Sequence, residues 1–78
     1  MPDVVQTILS NIEDDPIIKV KRLDVRIIRG KGLFNRRKII EIRGTADTDK
    51  TKGKIGEIAA RWGGENFDIA NEITVQSS

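Results

Sequence analysis

Two runs of alternating apolar and polar residues, one starting at Leu23 and one spanning Lys38 to Ala46, constrain this chain more than any other feature. In the first, Leu23, Val25 and Ile27 alternate with Asp24, Arg26 and Ile28. In the second, Ile40, Ile42 and Ala46 share one face and Ile39, Glu41, Arg43 and Thr45 the other. A period of two marks a strand with one buried face, so the two runs predict an antiparallel hairpin against a core. Their connection, Gly30-Lys31-Gly32-Leu33-Phe34-Asn35-Arg36-Arg37, exceeds the roughly two to five residues of an ordinary hairpin loop. Ahead of the first run, Ile17 to Lys21 reads either as a short extended segment or as a turn.

The flanks switch to helical spacing. Residues 3 to 13 place Val4 or Val5, Ile8 and Ile12 on one stripe, with Asp3 and Gln6 as a start resembling a capping box, and Asp14-Asp15-Pro16 as the stop. Asp47, Thr48 and Asp49 offer cap chemistry for a second helix whose stripe is Ile55, Ile58, Ala59 and Trp62. Trp62 at the end of that stripe predicts core packing, and Gly63-Gly64 predicts a left-handed stop. Gly53 and Gly56 weaken the helix, so they either allow close packing or mark a frayed start. A third strand follows, with Phe67, Ile69, Ile73 and Val75 opposite Asp68, Ala70, Glu72 and Thr74. Asn71 falls on its apolar face, where a bond to backbone is expected, and Gly44 in the second strand suggests a bulge or the close approach of a helix. The order is αββαβ, and 78 residues sustain one core, so residues 1–78 form a single domain.

Composition narrows function mainly by exclusion. With no cysteine and no histidine, disulfides, thiol or Ser-His nucleophiles and the zinc sites built on those ligands are ruled out. No apolar run approaches the roughly 18 residues of a membrane span, and the N-terminus lacks the pattern of a signal peptide, so a soluble domain is expected. Asp14-Asp15 is better explained as a helix stop than as an acid-base pair. Asp47-Thr48-Asp49 starts like a calcium loop, but Lys52 and Ile58 stand where glycine and glutamate are required. Gly30-Lys31-Gly32 at a strand end lacks the spacing of the RNA-binding KH loop, and no phosphate-cradling P-loop is present.

Charge placement is the positive signal. Residues 17–43 hold ten basic and two acidic side chains, a net +8, while the remainder carries −6. Such a segregation either orients the molecule toward an anionic surface or keeps strand faces and edges solvated. Within it, Arg29, Lys31, Arg36, Arg37 and Lys38 surround the apolar pair Leu33-Phe34 with no acidic residue between them. This chemistry suits an anionic bilayer, where cations steer and Leu and Phe enter the headgroup boundary. It also suits nucleic-acid phosphates with Phe34 as a stacking platform, an acidic protein partner, or a solvated tip whose Phe folds back onto the sheet.

Leu23-Asp24-Val25, Ile40-Glu41-Ile42-Arg43-Gly44-Thr45-Ala46, Ile58-Ala59, Gly63-Gly64 and Asn71-Glu72-Ile73-Thr74-Val75 together resemble the pattern of the BON domain, the bacterial osmotically inducible and nodulation module, over roughly residues 4–75. The loop after Gly30 and the segment between Gly64 and Ile69 are longer than the family's connections. The resemblance implies an α+β domain of αββαβ order, two helices packed on one face of a three-stranded mixed sheet. It further implies a non-catalytic module of cell-envelope and membrane-associated proteins, proposed to bind phospholipid. The expectation is therefore a domain without catalytic residues, metal or cofactor. It binds an anionic phospholipid surface through Arg29, Lys31, Leu33, Phe34, Arg36, Arg37 and Lys38, with a nucleic-acid-binding or protein-interaction module as the alternative.

Overall fold

The computed structural model describes residues 3–30 and 38–76. Helix α1 spans Val4–Glu13 and is opened by Asp3, whose Oδ1 accepts the Val5 N–H at 3.2 Å and so satisfies one of the amides that a helix start leaves free. Ile8 and Ile12, one turn apart, are its buried residues. The chain then turns around Pro16, where Asp15 accepts the Ile17 N–H on its carboxylate at 2.9 Å and the Ile18 N–H on its carbonyl at 3.2 Å. The ambiguous segment resolves here: Ile17 is exposed on this turn, Ile18 is buried, and strand β1 covers Val20–Arg29. The strand thus starts three residues before the alternating run becomes legible.

Strand β2, Lys38–Ala46, lies in the centre of the sheet, antiparallel to β1 and parallel to β3, Phe67–Val75. Direct pairing sets Val25 opposite Ile42 and Ile27 opposite Ile40 on one face. The same face takes Ile69, Asn71 and Ile73 from β3, beside Ile40, Ile42 and Gly44. Helix α2, Asp49–Gly63, crosses between the parallel strands and packs with α1 over that face. Ile8, Ile12, Ile40, Ile42, Ile55 and Ala59 form a core with essentially no solvent access. The architecture is the expected α+β arrangement, helices on one face of a mixed three-stranded sheet.

Three glycines and one asparagine fix how these layers meet. Between Lys21 and Asp24 the β1–β2 register slips, Arg22 takes a left-handed φ of 57°, and Gly44 on the facing strand has a φ of 155°. A Cβ at Gly44 would stand 3.0 Å from the Lys21 carbonyl oxygen and 3.3 Å from Ile73 Cδ1. The bulge reading of Gly44 therefore applies, and the close approach is that of the neighbouring strands, with no helix atom among the nearest contacts. In α2, Gly56 gives room to the Asn71 side chain, whose Nδ2 would lie 2.9 Å from an added Cβ. That Nδ2 donates to the Lys52 carbonyl at 2.8 Å, and Asn71 Oδ1 accepts the Ile73 N–H at 3.2 Å. Asn71 thus bonds to backbone, as its place on an apolar face requires, and ties α2 to β3. Gly53, by contrast, has open space around it.

The Gly63-Gly64 pair behaves otherwise than its sequence suggests. Gly64 closes α2 in a right-handed conformation, φ −64°, so no left-handed stop forms. Gly63 is required by proximity: a Cβ there would lie 2.5 Å from Ile40 Cδ1 and 3.5 Å from Val4 Cγ2. At the other end of α2, Thr48 is the cap. Its Oγ1 accepts the Thr51 N–H at 3.1 Å, while the buried Thr51 hydroxyl donates to Asp47 at 2.9 Å. These aspartates and threonines serve the helix start, as the capping reading of 47–49 expected.

Candidate functional site

The hairpin places Arg29 and Lys38 at one end of the sheet. Arg29 ends β1, Lys38 begins β2, and the two are direct cross-strand partners, both exposed. Lys31, Leu33, Phe34, Arg36 and Arg37 lie outside the described residues. Behind Arg29 and Lys38, Ile28 pairs with Ile39 on the helix-free face and Ile27 with Ile40 on the helix-covered face.

The helix-free face explains part of the charge in 17–43. Arg26 donates to Asp24 Oδ2 from Nη2 at 2.6 Å and from Nε at 2.9 Å, and Arg43 Nε lies 2.9 Å from Glu41 Oε1. The hydrogen bond and charge of Asp24 raise the Arg26 pKa above its ordinary value. Register sets Arg26 opposite Glu41 and Arg43 between Asp24 and Glu72, a lattice of alternating sign. Both carboxylates of the basic segment are thus engaged by two of its own arginines. Such exposed pairs contribute little to stability, but they occupy both carboxylates of the segment, whose other described cations are Lys19, Lys21, Arg22, Arg29 and Lys38.

Those cations divide between the hairpin's two ends. Lys19, Lys21 and Arg22 sit at the bulged end, where Lys19, Lys21, Asp47 and Gln76 line an open cleft of about 630 Å³. Acidic residues from the neighbouring turns, Asp14, Asp15, Asp47 and Asp49, belong to the same end as the α1 C-terminus and the α2 N-terminus. Arg29 and Lys38 mark the loop end, which the adjoining 31–37 stretch supplies with three further basic residues in sequence. The described cations of the basic segment are thus spread over both ends of the hairpin.

Sequence reasoning misplaced one aromatic residue. Ile55 and Ala59 of the α2 stripe are fully buried and Ile58 partly so, yet Trp62 is 49% exposed. The physical reason is where cover ends: the next residue, Gly63, packs against Val4, the first residue of α1. Helical periodicity gives the direction of Trp62 and says nothing of how far α1 extends over it. Ile27, two residues before Arg29, is also 38% exposed.

Among the described residues, no group of three or more acidic side chains is arranged to hold a metal ion, and no helix is long and apolar enough to cross a membrane. Set against family models, curated proteins and solved structures, the chain matches none.

Proposed function

We propose that this domain is a non-catalytic docking module that attaches peripherally to anionic phospholipid surfaces through the loop end of its β1–β2 hairpin. The observation that carries this reading is the electrostatics of the hairpin: its two carboxylates are engaged by Arg26 and Arg43 on the helix-free face. Arg29 and Lys38 remain exposed at the loop end, next in sequence to Lys31, Arg36 and Arg37. The resemblance to BON domains points the same way. Attraction to headgroups brings the domain in, and Leu33 and Phe34 then enter the boundary layer. One such contact gives marginal, reversible binding, so repetition or a tethered partner strengthens it.

Co-sedimentation with vesicles of phosphatidylglycerol and phosphatidylcholine, against phosphatidylcholine alone, tests the proposal. The domain pellets with the anionic vesicles at low salt and is released as salt rises. Replacing Arg36 and Arg37 with alanine weakens binding roughly thirtyfold, at about 1 kcal/mol per basic side chain. Equal absence of pelleting with both vesicle types at low salt overturns the reading. Retention on RNA or DNA in its place, with the steep salt dependence of phosphate contacts, assigns the hairpin to nucleic acid.

A further inference from the structure

We infer that Trp62 is a second membrane anchor at the loop end, so that the domain meets an anionic bilayer through two elements, the hairpin and the last turn of α2. This rests on the docking function proposed above and extends it to residues outside the hairpin.

The position of Trp62 follows from the packing of its neighbour. Gly63 lies against Ile40, two residues along β2 from Lys38, and against Phe67. Phe67 in turn is the register partner of Lys38, which faces Arg29. The last turn of α2 is therefore level with the loop end of the sheet. Ile27, opposite Ile40 on the helix-covered face, belongs to the same level and, among the described residues, is the other large apolar side chain left open there.

Single exposed apolar residues are ordinary. Here, however, a half-exposed indole and a half-exposed isoleucine share one end of the molecule with exposed Arg29, Lys38 and Arg61. Glu65 and Asp68, the acidic residues nearest this level in sequence, set two negative charges against these three positive ones. Apolar groups framed by cations fit the boundary between headgroups and acyl chains of an anionic bilayer. Tryptophan suits that layer in particular, since its ring is apolar and its N–H finds a polar partner there.

Trp62 is the chain's one tryptophan, so intrinsic fluorescence reports on this residue alone and needs no substitution. With phosphatidylglycerol-containing vesicles, emission should shift to the blue and be quenched by brominated acyl chains as the protein pellets. Trp62→Ala should weaken pelleting roughly tenfold, as expected for withdrawing about half an indole from the apolar boundary, while Trp62→Phe retains most of the binding. Circular dichroism of both variants verifies that the fold persists. Pelleting with unshifted, unquenched emission overturns the anchor and leaves attachment through the hairpin standing. Failure to pellet at all overturns that attachment and the anchor together.

Discussion

Arg22 holds a φ of 57° in the β1 bulge, a region that costs a side chain with a Cβ roughly 1–2 kcal/mol. Glycine has no such penalty, so Arg22→Gly should raise the urea midpoint, by an amount on the order of 0.5–1 kcal/mol once the extra freedom of the unfolded chain is deducted. Gly44 across from it predicts the opposite. An added methyl meets the Lys21 carbonyl oxygen at 3.0 Å on a backbone with φ 155°, so Gly44→Ala should destabilise by about 1–3 kcal/mol in the same measurement. A glycine inside an alternating run announces such a site in the sequence. Its left-handed partner does not, because arginine carries no local signature of that conformation.

At the scale of elements, the contact between α2 and β3 yields a prediction whose sign depends on background. Gly56→Ala in the native protein forces a Cβ to within 2.9 Å of Asn71 Nδ2 and disturbs its bond to the Lys52 carbonyl, so stability falls by about 1–2 kcal/mol. In an Asn71→Ala background the obstacle is gone, and the same change stabilises by up to about 1 kcal/mol through helix propensity. A double-mutant cycle by denaturant unfolding reads this reversal. Additive costs would show that the amide and the glycine are uncoupled. The strands and helices themselves were legible because each buries one face and so imprints a period of two or of 3.6 on the chain. What periodicity does not encode is where a neighbouring element stops. That is why the strand before Leu23, the right-handed end at Gly64 and the exposure of Trp62 emerged only from packing. Of the candidate site, Arg29 and Lys38 were named from the sequence, whereas the exposure of Trp62 and Ile27 is visible only in the packed structure.

For the molecule as a whole, net charge counts less than its arrangement. The chain has no histidine, the side chain that ordinarily changes charge between about pH 5 and 8. Vesicle binding should therefore stay level across that interval while falling steeply with ionic strength, a contrast that pelleting at two salt concentrations and three pH values measures. The outer rim of the sheet is set by a different feature. The Gln76 N–H donates to the Ala46 carbonyl, so with strand alternation the even-numbered amides near the end of β3 turn toward β2 and the odd-numbered ones outward. Among the outward amides, that of Ile73 is already held by Asn71. A fourth strand arriving on that rim would find a donor it needs already spent, and α2 leaning over the same place. Strand addition along the β3 rim would therefore have to displace this side-chain bond first.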